Sequence, residues 1–101
     1  KTTEIEVLKI TVRDLNKEDI SLRKLKSTTK GVVITNISNK SPLAGLLNVN
    51  DIIIEAQKTI INKSSDLNEI VNKVKKRGDK NLLLSIINKN SRREYLGIKI
   101  N

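Results

Sequence analysis

The chain has 101 residues and a formal net charge of +9, and it contains neither cysteine nor histidine. The length fits one compact domain. Because the chain has no cysteine, disulfides and thiolate metal sites are excluded. Because it also has no histidine, a Ser-His-Asp or Cys-His nucleophile cannot be built from this chain alone. We predict no catalytic residue, no metal site and no cofactor. No apolar run approaches the ~20 residues of a membrane span. Aromatic residues make up 1% of the sequence, so the core must be aliphatic.

The first quarter of the chain predicts a strand followed by a short helix. Residues 1–6 read as a tail or linker. Residues 7–15 then alternate apolar and polar side chains, which is typical of a half-buried strand. Asn16 is a residue type that caps helix N-termini, and the helix it begins is predicted to run to about Leu25. The aliphatic residues predicted to face the core are Leu8, Ile10 and Val12 in the strand, and Ile20, Leu22 and Leu25 in the helix.

The next segment predicts two buried strands with a short helix between them. Gly31 opens the β-branched run 31–37, which we interpret as a central strand. Ser41 followed by proline is the pattern of a helix start, and a helix of one to two turns is predicted over residues 43–47. Small residues within it would let this helix approach the sheet closely. A second buried strand is predicted from Asp51, whose carboxylate can accept hydrogen bonds from nearby loop amides.

The last part of the chain predicts a long helix and a terminal hairpin. A short extended piece surrounds Ile60, and residues 64–77 form the clearest helix, which Gly78 ends. Residues 81–87 and 93–100 are strands joined by a polar turn. The apolar face of the long helix recurs at spacings of three and four residues, at Leu67, Ile70, Val71 and Val74.

The order of these elements and the motifs within them resemble the PDZ domains of the HtrA/Deg (DegP-like) serine proteases. GVVITNI followed by NKSPLAGLLNVNDIII resembles the family's strand, its "SPA-AGL" element and its "GD-I" element, and DLNEIV matches its "DL---V" element. The resemblance is most specific over residues 31–78. It implies an α+β fold: a small, partly open β-barrel or sandwich of five to six strands, with one long and one or two short helices in the circularly permuted bacterial strand order. Residues 1–6 would be a linker or the end of a preceding domain, and 7–101 the PDZ domain.

The resemblance also implies a groove for peptides. PDZ domains bind a C-terminal carboxylate through the backbone amides of an apolar-Gly-apolar loop, and the peptide adds as a strand beside the one that follows. Val7-Leu8-Lys9-Ile10 matches that loop, with Lys9 in the glycine position, where it either strains the backbone or adds positive charge beside the carboxylate. Tyr95-Leu96-Gly97-Ile98 has the same pattern, but we interpret it as core alternation in the last strand. The peptide-binding residues implied are Leu8, Lys9, Ile10, Thr11, Val12, Leu67, Val71 and Val74, with Ile70 facing the core.

Two functions from different classes remain open. One is a peptide-binding module that helps to regulate or assemble a protease, recognising apolar C-termini or unfolded segments in protein quality control. The other is a structural module for oligomer assembly, which Lys9 and the EIEV lead-in favour because both fit a second, C-terminal PDZ domain. The basic residues are dispersed and lack an aromatic platform, so nucleic acid is not a predicted partner. The chain itself is not expected to be an enzyme. Its parent would be a periplasmic, trypsin-like serine endopeptidase that forms a homo-oligomer, with the protease domain and a neighbouring PDZ domain as partners.

Overall fold

The computed structural model describes residues 1–100, where short strands alternate with one short and one long helix. The strands are β1 (Thr2–Ile5), β2 (Ile10–Asp14), β3 (Val32–Ile37), β4 (Ile52–Ala56), β5 (Thr59–Ile60), β6 (Asn81–Ile87) and β7 (Arg93–Lys99). The helices are α1 (Lys17–Leu22) and α2 (Ser64–Lys76).

The strands of the described range form one antiparallel sheet in the order β1-β2-β3-β4-β6-β7, with β5 paired to β4. The helix α2 packs on one face of the sheet, against β1, β2 and β4. This confirms the predicted α+β class and the single long helix. Over residues 1–100 the sheet has 7 strands, more than the five to six expected, because Thr2–Ile5 joins it as an additional edge strand.

Two aliphatic clusters lie on opposite faces of the sheet. The smaller one is centred on Val33, Ile52 and Ile54 and is flanked by Leu15 and Leu25. The larger one lies between the sheet and α2, and many of its side chains are completely buried, as expected for a domain without an aromatic core. The larger cluster contains Ile5, Leu8, Ile10, Val12, Val32, Ile34, Leu43, Leu47, Ile53, Ala56, Ile61, Leu67, Val71, Val74, Leu82, Leu84, Ile86 and Ile98.

The helix predicted over residues 43–47 is wrong, because this segment forms consecutive turns. It begins as the sequence predicts: the hydroxyl oxygen of Ser41 accepts a hydrogen bond from the amide of Leu43 at 2.9 Å. Gly45 then adopts a φ of 81°, in the left-handed region, and this interrupts the helical progression. A Cβ atom at Gly45 would meet nothing within 4 Å, so the glycine serves the turn and not a close approach to the sheet.

The strand predicted over residues 7–15, which is β2 in the structure, and the helix after it are both shorter than predicted. Residues 6–9 form a turn, so the strand spans only Ile10–Asp14. The helix α1 ends at Leu22, whose side chain is 75% exposed where we expected a core contact. The residue that α1 buries is polar: Asp19 faces inward because it bonds to an arginine of β2. An ion pair therefore fixes α1 to the sheet. Of the predicted apolar face, Leu25 is half-buried against the smaller cluster and Ile20 is half-buried, whereas Leu22 is exposed.

Candidate functional site

The turn between β1 and β2 is the loop for which the resemblance predicts carboxylate binding. The Leu8 amide donates to the Ile5 carbonyl at 3.1 Å, and the Lys9 amide donates to the Glu6 carbonyl at 3.2 Å. Lys9 has a φ of 54° and an exposed side chain. Glycine adopts this left-handed conformation without penalty, whereas other residues are disfavoured there by about 1–2 kcal/mol. The loop therefore does require a conformation that favours glycine at the position of Lys9.

A neighbouring segment holds the carbonyl groups of this loop from behind. The Ser41 hydroxyl donates to the Leu8 carbonyl at 2.5 Å, and the Ser38 amide donates to the Lys9 carbonyl at 3.0 Å. Ser41 is itself buried. Residues 38–41 thus hold the carbonyl groups of the loop, whereas the amides of Leu8 and Lys9 donate to Ile5 at the end of β1 and to Glu6 in the turn. The sequence indicated Ser41 only as a helix cap, so this contact over a long sequence separation was missed.

Both edges of β2 are paired. On one edge β3 pairs with it, with Ile37 opposite Ile10. On the other edge β1 runs antiparallel to it, with Ile5 opposite Ile10 and Thr3 opposite Val12. This second edge is the place where the resemblance predicts that a peptide would add. In the structure it is occupied by the chain's own residues Thr2–Ile5, which the sequence led us to read as a tail or linker.

The helix α2 forms the opposite wall of this site. Its side chains Leu67, Val71 and Val74 are buried, and α2 contacts both β1 and β2. The structure thus brings together most of the implied peptide-binding residues in one aliphatic cluster, which also contains Ile5. Thr11 is half-buried in β2, and Lys9 lies at the end of the site. The members of the cluster from the implied set are Leu8, Ile10, Val12, Leu67, Val71 and Val74.

Ile5 is the residue of this site that sequence reasoning missed. Its side chain is 0% exposed, which is the burial of a core residue. The available signal was its alternation with the polar residues Glu4 and Glu6, which is the period of a strand with one buried face. A single apolar residue among five polar neighbours is too short a pattern to distinguish a strand from a linker.

The prediction that Ile70 faces the core is wrong. Ile70 is a half-buried residue that packs against the main cluster without being part of it. A helix turns by about 100° per residue, so a buried stripe through Leu67, Val71 and Val74 leaves Ile70 at its edge. There it lines an outer cavity of about 500 Å3 between α2 and β5, together with Ile60.

A hydrogen-bonded contact joins the end of β2 to the start of α2. Both the amide and the hydroxyl of Ser64 donate to Oδ1 of Asp14, at 2.8 and 2.7 Å. The bond from the Ser64 hydroxyl, followed by the bond from its amide, lowers the pKa of the Asp14 carboxyl below its ordinary value. A cavity of about 410 Å3 opens beside this contact and is lined in part by Thr3. This end of the site is therefore polar, whereas the end near Ile5 is aliphatic.

An ion pair anchors the same end of β2 to α1. Two guanidinium nitrogens of Arg13 donate to the two carboxylate oxygens of Asp19, at 2.7 and 2.8 Å. The Asn16 amide also donates to Asp19, and the Asn16 side chain accepts from the Asp19 amide, which confirms Asn16 as the helix cap. The hydrogen bond from Arg13 lowers the pKa of Asp19, and the same bond raises the pKa of Arg13. The C-terminal end of β2, which we call its far end, is thus held by the hydrogen bonds of two acidic side chains, Asp14 and Asp19.

The site can bind a ligand through hydrogen bonds from its backbone amides and through burial of apolar side chains against its aliphatic walls. Within residues 1–100, no three acidic side chains lie close enough together to hold a metal ion. Over the same residues, no helix has the length and apolar character needed to cross a membrane. The other copy of the loop pattern, Tyr95-Leu96-Gly97-Ile98, lies within β7 with Ile98 buried, which confirms its interpretation as core alternation.

Comparison with known proteins agrees with this geometry. A family model described as "PDZ domain" matches residues 8–95, a range that begins after β1. The HtrA3 PDZ domain bound to a phage-derived ligand, FGRWV, superposes with a TM-score of 0.66 at 22% identity, covering 99% of this chain and 83% of that one. The HtrA-type protease AlgW with a decapeptide gives a TM-score of 0.67 at 21% identity, covering 91% of this chain and 27% of that one. A search of curated protein sequences gave no match.

Proposed function

The chain belongs to the PDZ domain family, and we propose that it is a non-catalytic module that binds extended apolar peptide segments between β2 and α2. One observation carries the proposal: β1 already lies there as an extended segment, antiparallel to β2 and in contact with α2. Its one aliphatic side chain, Ile5, is buried in the main cluster. Strand addition of this kind takes affinity from main-chain hydrogen bonds and specificity from side-chain pockets.

A bound peptide would take the position of β1 and run antiparallel to residues 10–14. Its carboxylate would meet the amides of Leu8, Lys9 and Ile10. The first two of these amides now donate to the carbonyl oxygens of residues 5 and 6, so the carboxylate would replace one oxygen acceptor with another. The terminal side chain would enter the aliphatic region formed by Leu8, Ile10, Val12 and Val74. The net charge of +9 would add an attraction for acidic peptides that decreases as salt is added.

The proposal is tested by titrating the 15N-labelled chain with Phe-Gly-Arg-Trp-Val, the ligand sequence of the HtrA3 PDZ domain. We expect amide shifts confined to residues 2–14 and 67–75 for the free acid, because the peptide displaces β1 from its place beside β2. The same peptide with a C-terminal amide is the control, and it should produce weaker shifts because it lacks the carboxylate. Shifts that are dispersed over the surface, or equal for the two peptides, would contradict capture of a C-terminus in this groove.

The second candidate is a structural module for oligomer assembly. The observation that favours it is that both edges of β2 are paired, so a peptide can add only after β1 has left. If β1 never leaves, the free acid will cause no shifts at millimolar concentration. Deleting this domain from the parent would then change its oligomeric state, measured by light scattering, without changing its affinity for peptides.

We extend the proposal to the parent protein, which we expect to be a periplasmic, trypsin-like serine protease of the HtrA type that forms a homo-oligomer and carries this chain as its second PDZ domain. The support is the fold-level likeness to HtrA3 and AlgW. The test is to read the coding sequence upstream of residue 1. A domain with the order His, Asp, Gly-x-Ser-Gly, followed by another PDZ domain, is the expected result.

A further inference from the structure

Resting on the proposed function, we infer that β1 is an intramolecular ligand of the groove. External ligands must compete with it for the groove. The two residues of β1 that face the groove are Ile5 and Thr3.

The direction of β1 is that of a ligand. It runs antiparallel to β2 and ends beside the loop that would bind a carboxylate, with Ile5 opposite Ile10. The Ile5 carbonyl oxygen accepts the hydrogen bond of the Leu8 amide at 3.1 Å, which is the donor that a terminal carboxylate would use. The backbone oxygen of Ile5 therefore occupies the place of one carboxylate oxygen.

The side chains of β1 divide between the groove and solvent as those of a bound peptide would. Ile5 is completely buried and Thr3 is half-buried, whereas Thr2 and Glu4 are exposed. Ile5 lies within the aliphatic cluster, and Thr3 lines the polar cavity beside Asp14. The two positions that face inward thus meet surroundings of different chemistry, aliphatic at Ile5 and polar at Thr3.

The attachment of β1 is weak enough to be reversible. The strand has 4 residues, and only one of them is completely buried. The turn that connects it to β2 holds Lys9 in the left-handed region, so release of the turn relieves an unfavourable conformation. Short edge elements with few buried contacts are those that open locally without global unfolding.

Competition of this kind has a quantitative consequence. The apparent Kd of an external peptide equals its intrinsic Kd divided by the fraction of molecules in which β1 has left the groove. If β1 is out in about 1% of molecules, the apparent affinity falls by about 100-fold. A substitution that prevents Ile5 from docking should recover that factor.

The experiment measures binding of the synthetic peptide Lys-Thr-Thr-Glu-Ile, with a free carboxylate, to variants of the full chain. Ile5→Asp places a charge in the aliphatic site and releases β1, because an unpaired buried charge is strongly disfavoured. Ile60→Asp is the matched control, since it makes the same substitution at an exposed position of β5. We expect Ile5→Asp to bind the peptide at least ~10-fold more tightly than the wild-type chain, and Ile60→Asp to bind it as the wild type does.

A second variant keeps the test valid if Ile5→Asp does not fold. Glu4 and Thr11 are Cα partners across β1 and β2, and the chain has no cysteine, so Glu4→Cys with Thr11→Cys can form a single disulfide. Directly opposite residues of antiparallel strands lie within the span of a disulfide. We expect the oxidised form, with β1 locked in place, to lose peptide binding, and the reduced form of the same protein to regain it.

The outcomes separate the inference from the function on which it rests. If the wild type, folded Ile5→Asp and both redox forms bind the peptide equally, the proposed function stands and the inference is overturned. If no folded variant binds this peptide or Phe-Gly-Arg-Trp-Val at millimolar concentration, both are overturned. Tighter binding by Ile5→Asp together with loss of binding on oxidation supports the inference.

Discussion

The two ends of the chain carry the same short pattern in two hairpins that differ in structure. In the N-terminal hairpin, Val7-Leu8-Lys9-Ile10 forms the turn and the start of β2, and Lys9 has a φ of 54°. In the C-terminal hairpin, Tyr95-Leu96-Gly97-Ile98 lies within β7, which pairs with β6 in an unbroken register from Asn81 opposite Lys99 to Ile87 opposite Arg93. The same sequence pattern is thus a turn at one end and a regular strand at the other.

The difference shows that the position of a pattern in the fold determines which backbone conformation its central residue must adopt. Glycine is present at position 97, where a regular strand makes no conformational demand on it. Lysine is present at position 9, where the backbone is left-handed. The hairpins also differ in attachment, since β7 pairs along 7 residues and β1 along 4. We therefore expect the N-terminal hairpin to open more readily than the C-terminal one.

The largest expected effect compares two isoleucines of the edge strands. Ile98 in β7 is 1% exposed and Ile5 in β1 is 0% exposed, so Ile98→Ala and Ile5→Ala remove the same buried atoms. We expect Ile98→Ala to reduce the free energy of unfolding by ~2–5 kcal/mol, the usual cost of truncating a core side chain. Ile5→Ala should cost less, because β1 can undock locally and so limit the loss.

Urea unfolding and native-state hydrogen exchange check this comparison. Urea unfolding gives the two losses of global stability, and exchange reports the opening of each strand separately. In the wild-type chain, the amides of β1 should exchange faster than those of β7. Equal global losses together with equal protection of both strands would show that β1 is an integral part of the core and would contradict the comparison.

The next effect concerns the acid sensitivity of the N-terminal hairpin. The pKa values of Asp14 and Asp19 are lowered in the folded state, so each carboxyl binds protons more readily when the chain is unfolded. The stability that they contribute is present above their unfolded pKa values of about 4 and is lost as the pH falls through the lower folded values. Both residues hold the far end of β2, so acid should loosen β1 and β2 before β6 and β7.

Asp19→Asn isolates the contribution of Asp19 to this effect. The variant keeps the side-chain shape of Asp19 but loses the charge that pairs with Arg13, and we expect a cost of ~1.5–3 kcal/mol at pH 7, the range for hydrogen bonds to charged groups. The cost should shrink as the pH is lowered from 7 towards 2, because the wild-type carboxyl is increasingly protonated as the pH falls through its lowered pKa. A cost that is independent of pH, measured by urea unfolding at both values, would refute the assignment to this ion pair.

The sequence predicted the parts of the fold that long periodic patterns encode. The apolar stripe of α2 and the alternation of the last hairpin extend over enough residues to predict each element, although Ile70 was assigned to the core and is only half-buried. What was missed depends on contacts between distant segments, such as the bond from the Ser41 hydroxyl to the Leu8 carbonyl. The docking of Ile5 was missed for the same reason, since a strand of 4 residues is specified by the groove that receives it.

The smallest expected effect concerns substitutions of the central residues of the two patterns. Lys9→Gly should stabilise the chain by up to ~1 kcal/mol, because glycine avoids the penalty of the left-handed conformation but loses more backbone entropy on folding. Gly97→Ala should stabilise it by ~0.4–1 kcal/mol, because a Cβ atom there meets nothing within 4 Å and alanine restricts the unfolded chain.

Both variants are measured by urea unfolding, and hydrogen exchange in β1 separates them further. Lys9→Gly tightens the turn that holds β1, so it should slow exchange in β1 and weaken peptide binding. Gly97→Ala acts at the other hairpin and should leave both unchanged. If Lys9→Gly instead destabilises the chain or strengthens binding of the peptide, then the turn does not control the release of β1. The proposed difference between the two hairpins would then be contradicted.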